Sequence, residues 1–261
     1  MTSRTWRVLP PALLGSAFLV LQWLGRRSGC TRQERLRSLP GDGVVRRPQV
    51  RTDHARTVPA PPEDVWPWLT QMGWHRAGWY TPRWVDLALF PDNRPSADHL
   101  EPRWVREPCP GDRVPDGPPG TAEFVVEQAD APQVLLLHST THLPTSWRIR
   151  GCRVDWTWCF HLTPVGAWHT RVHVRVRGRA EPAWLGLAFV VLLPPADLVM
   201  CPGMLRGLAR RVASDRTCST SRPIGTLDPA RTRTLPSTLQ VRGIAPAVRG
   251  TTGAHSRAGG S

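Results

Sequence analysis

VDWTWCFHLTPVGAWHTRVHVRVRGRAEPAWLGLAFVVLLPPADLVMCPGMLRGLARR, Val154–Arg211, is the stretch that decides the fold of this 261-residue chain. Val154, Trp156, Trp158 and Phe160 stand two residues apart, the period of one strand face. Val172, Val174 and Val176 repeat that spacing on a second strand, with Arg171, Arg175 and Arg177 expected on its solvent side. Pro164-Val165-Gly166-Ala167 supplies the hairpin turn between them. From Trp184 to Ala213 the pattern becomes one long helix, apolar first and Arg-rich at its end, where cations favour the helix dipole. Leu185 to Leu193 resembles a short membrane span, but Pro194-Pro195-Ala196-Asp197 interrupts it, so a bent core helix is expected.

Upstream, Val50 to Pro59 reads as a strand and Pro61-Pro62-Glu63-Asp64 opens a helix, with prolines in the first turn and acids at its positive end. Val65, Trp66, Leu69 and Met72 form its apolar face, and Gly73 ends it. A second short helix is expected within Gly78–Phe90, and another within Ser96–Trp104 with Ser96 as cap. After a turn-rich stretch, Pro108–Gly120, strands are expected at Ala122–Glu127 and Gln133–Ser139. Arg32 to Pro40 reads as a short polar helix.

The formal net charge of +14 would suggest nucleic acid or an anionic surface. Its distribution argues against a specific nucleic-acid partner. Residues 1–51 carry ten Arg against Glu34 and Asp42, and residues 206–261 carry ten against Asp215 and Asp228. The stretch between is close to neutral, and Arg stands in place of Lys throughout. The six cysteines show no CxxC pair. Cys152 and Cys159, on one strand, would lie roughly 23 Å apart, beyond a disulfide or a shared metal. Free thiols point to a reducing, cytoplasmic setting.

Four regions follow. Residues 1–30 hold an apolar run, Pro11–Leu24, between Arg4, Arg7 and Arg26, Arg27. A membrane contact through residues 6–27, as a single N-terminal anchor, is the alternative to a cytoplasmic location. Residues 31–49 read as a linker with a short helix, 50–213 as the folded domain, and 214–261, poor in apolar residues, as a disordered tail.

Strand, helix, antiparallel strands and one long final helix is an α+β order, that of the helix-grip fold: a curved antiparallel sheet around the last helix, with an internal cavity. APPEDVWPWLTQMGWHRAGWY (Ala60–Tyr80), LPGD (Leu39–Asp42), WTWCFHL (Trp156–Leu162) and the ending from Glu181 to Arg211 are similar to START-like, or SRPBCC, domains of the polyketide cyclase/dehydrase-like actinobacterial subgroup. The resemblance covers about Leu39 to Ala213. Cys201-Pro202-Gly203 departs from it, where a kink is expected, and so does the tail. The resemblance implies binding of an apolar small molecule of lipid, polyketide or isoprenoid type. It implies as alternatives a cyclase or dehydratase on the same fold, or a membrane-associated accessory protein. The sequence does not set an oligomeric state.

Trp66, Trp68, Trp79, Tyr80 and Trp84, with Trp156, Trp158 and Phe160, are read as cavity wall or as plain core. Gln71 is read as a group that orients a ligand or caps its helix. Tyr80 and His75, in the excursion after the first helix, are the weak catalytic candidates, with ordinary surface polarity as the alternative. His138 and His142 lack a third ligand by spacing, so no metal is expected, and no motif calls for a cofactor.

Overall fold

The computed structural model describes residues 11–89 and 91–220. Six strands form one antiparallel sheet: β1 (Val50–Val58), β2 (Arg113–Pro115), β3 (Glu123–Asp130), β4 (Val134–Ser139), β5 (Arg153–Val165) and β6 (His169–Glu181). Their order is β1-β6-β5-β4-β3-β2, so the chain closes the sheet by laying its first strand beside its last. Helices α1 (Pro11–Gly25), α2 (Arg32–Leu36), α3 (Pro62–Thr70), α4 (Arg83–Leu89), α5 (Thr145–Ile149) and α6 (Ala183–Thr220) complete it. The long α6 packs on the inner face of the sheet, mainly against β1 and β6. This is the helix-grip arrangement, a curved sheet closed on its C-terminal helix.

Register explains which residues face α6. Trp156, Trp158, Phe160 and Leu162 of β5 lie opposite Gly178, Val176, Val174 and Val172 of β6. Leu137 and Leu135 of β4 lie opposite Trp158 and Phe160, so all of these share the inner face. Phe160, Leu162, Val172, Val174, Leu135 and Leu137 join Met204, Leu205, Leu208 and Val212 of α6 in a buried core, with Trp156 and Trp158 partly buried against it. On β1 the same face carries Thr52 and His54, and both reach Asp197 of α6. His54 Nε2 lies 2.8 Å from Asp197 Oδ2, and the Thr52 hydroxyl donates to the same oxygen.

The outer face differs from expectation. Arg175 is not on a solvent side; it is 1% exposed. Its guanidinium bonds Asp53 and Asp42, each at 2.7 Å, and the carbonyls of Glu34, Arg35 and Arg37. Arg171 pairs with Glu34 at 2.6 Å and Arg177 donates to Val45 O. The segment expected to be a linker is thus a strap across the sheet, started by a Thr31–Glu34 capping box and tied down by strand arginines. The cover lies more than 130 positions away in sequence, which is why strand alternation alone placed these arginines in water.

Two other elements also differ. No helix forms over Ser96–Trp104, because the Ser96 hydroxyl is engaged elsewhere, accepting from Tyr80 N and donating to Asp86. Helix α6 runs to Thr220, past Ala213 and into the stretch expected to be disordered. The rest of that tail, residues 221–261, and the start of the N-terminal segment, residues 1–10, lie outside the described residues.

Candidate functional site

A cavity of about 500 Å³ opens beside α6 and the middle of the sheet. Trp156 and Trp158 of β5 line it together with Trp79 from the loop after α3. The strand indoles fit because their neighbours are small: Trp156 has Ser139 on one side and Gly178 on the other. Trp79 meets Trp158 edge-on at 5.4 Å, and Phe124 stacks on Trp156 at 5.8 Å, so the aromatic wall is braced from behind. Met200, Cys201 and Met204 come from α6, Leu143 and Pro144 from the loop leading into α5, and Thr145 from its first turn.

One hydrogen-bonded His–Asp pair belongs to this lining. His142 Nε2 lies 2.8 Å from Asp116 Oδ2, and both side chains are largely buried. An ionised carboxylate only accepts, so Nε2 bears a proton. Nδ1 receives the Trp156 indole N–H at 3.3 Å and lies 2.6 Å from Ser139 Oγ. The Ser139 hydroxyl has a single proton and a second acceptor, Glu123 O, at 2.6 Å. In the neutral ring Nδ1 accepts from Trp156. In the protonated ring Nδ1–H donates to Ser139 Oγ, whose own proton goes to Glu123 O. Nδ1 itself thus has a partner in either state, while the Trp156 N–H loses its acceptor when the ring is protonated.

Trp79 Nε1 and Trp158 Nε1 are buried and have no hydrogen-bond partner among the described residues. A buried donor without an acceptor costs about 1–3 kcal/mol. Both rings line the cavity, but the two Nε1 atoms themselves have almost no accessible surface.

The candidate residues scatter over three settings. Trp79, Trp156 and Trp158 line the cavity; Phe160 is 0% exposed in the core behind them. Trp66, Trp68, Gln71 and Tyr80 are packed in the core and outside the cavity lining. The Tyr80 hydroxyl donates to Trp68 O and receives Gln71 Nε2, both at 2.8 Å, while Gln71 Oε1 accepts from Glu101 N. Burial pushes the Tyr80 hydroxyl well above its ordinary range, so it ties the loop to α3 and offers no proton to a ligand. His75 is exposed and borders a different hollow, with Trp74 and the 115–123 loop. Trp84 is 63% exposed on α4, turned away from the cavity.

His138 turns to Asp155, at 2.7 Å, and does not join His142. Among the described residues one trio, His54, Asp197 and Cys201, brings metal-ligating atoms within 4.8 Å of one another. It is buried, and within it His54 Nε2 and Asp197 make the hydrogen bonds that hold β1 to α6, while His54 Nδ1 has no partner among the described residues. The Asp116–His142 pair was not read from the sequence. Its members lie 26 positions apart in two loops, and neither loop has a periodicity that aims a side chain.

No family model matches this sequence, and no curated protein does. Solved structures do match. A hypothetical protein of Helicobacter pylori is 11% identical with a TM-score of 0.41, covering 66% of this chain and 94% of that one. A norcoclaurine synthase point mutant from Thalictrum, in complex with a transition-state analogue, is 13% identical with a TM-score of 0.37, covering 63% and 94%. CalU16 from Micromonospora echinospora is 15% identical with a TM-score of 0.27, covering 66% and 88%. The fold stands on the strand order and the seat of α6 described above.

Proposed function

We propose that this chain binds an apolar small molecule in the cavity between α6 and β5. The observation that carries this reading is the cavity itself, walled by Trp79, Trp156 and Trp158 with Met200 and Met204, and with His142 as a polar group in the lining. A volume of about 500 Å³ suits a polycyclic or short-chain ligand, since cavities of roughly 300–1,000 Å³ take molecules of that size. Apolar burial supplies the affinity, and His142 and Asp116 are the polar groups of the lining that set the orientation. Native mass spectrometry of freshly purified chain, followed by a Trp-fluorescence screen of polyketides, isoprenoids and lipids, tests it. A co-purifying mass or a saturable response supports the reading; neither, across the whole screen, overturns it.

Acid–base chemistry on the bound molecule is the second reading, favoured by His142 Nδ1 having a partner in either protonation state. Its mark is exchange of an acidic C–H of a bound ketone with deuterated solvent, lost in His142→Gln while binding remains. Exchange at the same rate in that variant sinks it.

A further inference from the structure

Helix α1 has no charged residue and is apolar all round. It exposes seven large apolar side chains, among them Leu14 at 54%, Leu19 at 68% and Trp23 at 52%. A helix apolar on every side belongs inside a core or in lipid, and contiguous exposed patches of this kind mark an interaction surface. The first half of α6, which α1 packs on, continues it: Trp184 is 54% exposed, and Leu187 and Leu192 are each 65% exposed. No charge falls in α6 before Asp197. Trp147 of α5 meets Trp184 edge-on at 5.4 Å, which extends the face further.

Two observations choose the occupant. Arginines border the face: Arg26 and Arg27 follow α1, with the Arg27 guanidinium 4.1 Å over the Trp23 ring, Arg148 lies in the last turn of α5 and Arg150 follows it. An apolar face rimmed by arginine and tryptophan complements the headgroup boundary of an anionic bilayer. The second is depth. Helix α6 is long and apolar enough to cross a membrane by length and composition. Its later half, though, is locked in the core through Met204, Leu205, Leu208 and Val212. The 15 described residues of α1 span about 22 Å, against a hydrocarbon core of roughly 30 Å.

We propose that α1, the first half of α6 and α5 form one docking face that inserts shallowly into an anionic lipid bilayer. The expected bent core helix is, over its first half, a surface element. This inference stands whether or not the cavity holds a ligand.

The test is flotation of the full chain with vesicles of phosphatidylcholine with and without phosphatidylglycerol. The wild type is expected to float, and more strongly with phosphatidylglycerol at low salt. Partitioning is expected to fall roughly tenfold for each inserted leucine exchanged for a charge, as in Leu19→Glu and Leu187→Glu. Both sites are exposed, so the variants keep wild-type thermal unfolding. Brominated phospholipid is expected to quench part of the Trp fluorescence, and Trp23→Phe with Trp184→Phe to remove that part. No flotation, equal flotation of the variants, or quenching unchanged by the two Trp substitutions overturns the proposal. So does light scattering that shows a dimer which hides this face and does not float.

Discussion

Gln22 Nε2 donates to Val191 O at 2.7 Å, and Val191 is the residue whose carbonyl Pro195 leaves without a helical donor. Arg26 reaches Val190 O at 3.4 Å, the carbonyl vacated by Pro194 in the same way. The closeness this needs comes from Gly25, where a Cβ would fall 1.9 Å from Pro194 O. Helix α1 thus supplies the hydrogen bonds that two consecutive prolines remove from α6.

Gln22→Leu keeps the bulk and removes the donor. It is expected to destabilise the docking of α1 by about 1–2 kcal/mol, the cost of orphaning one half-buried carbonyl. Hydrogen exchange should show faster amides in α1 and around Val191, with the β5–β6 hairpin unchanged.

Gly207 is the close approach of α6 to the Tyr80 loop: a Cβ there would lie 2.0 Å from Tyr80 O, backbone against backbone. Gly207→Ala is expected to cost about 2–3 kcal/mol in thermal or urea unfolding, because neither partner is a flexible side chain. Gly15→Ala is the control. Nothing lies within 4 Å of its added Cβ, and it is expected to gain up to about 1 kcal/mol from helix propensity.

Burial alone would raise the Asp53 carboxyl, but hydrogen bonds from His173, Arg51 and Arg175 outweigh it and hold its pKa down to about 2. A depressed carboxylate contributes stability above its unfolded value, near 4, and loses it as pH falls through the folded value. Unfolding free energy is therefore expected to drop by about 2 kcal/mol between roughly pH 4 and pH 2 through this group. Asp53→Asn should flatten the slope in that window. Glu34, held down to about 2 first by its hydrogen bond from Arg171, adds to the same slope. Glu34→Gln should remove that share.

Trp158→Phe deletes the unpartnered indole N–H and keeps an aromatic ring on the cavity wall. That donor is buried without an acceptor among the described residues, so its removal is expected to offset about 1–3 kcal/mol of the stability lost with the smaller ring. Urea unfolding of this variant beside Phe160→Leu, which orphans nothing, checks it: a much smaller loss for Trp158→Phe is expected.

How much of this was legible in the sequence depends on distance along the chain. The β5–β6 hairpin could be read because its pattern is local: Trp156, Trp158 and Phe160 alternate within one strand, and Gly166 turns it with φ 63°. Helix α3 could be read from Pro62, Glu63 and Asp64. Arg175 could not, because its face is decided by Glu34 to Asp42, a strap that no periodicity in β6 announces. Trp79 and Tyr80 are adjacent and both aromatic, yet one lines the cavity and the other is buried under α6. A positive φ of 58° at Tyr80 turns the chain between those roles, and a sequence pattern does not encode it. Asp116 and His142 meet only because the β2–β3 loop and the loop before α5 end at the same mouth.

The prolines of α6 also divide the helix in time as well as in space. Pro194, Pro195 and Pro202 withhold three amide protons from its ladder. The part beyond them is pinned by the Tyr80 loop and by Arg211, whose guanidinium bonds Ala97 O at 2.6 Å. The part before them is held by α1 and, through Leu185 and Phe189, by the β5–β6 hairpin. Local opening of the first part need not propagate through the proline region, so the two halves behave as separate cooperative units. A bilayer that grips the first half could then peel or rotate it while the second keeps its seat in the sheet.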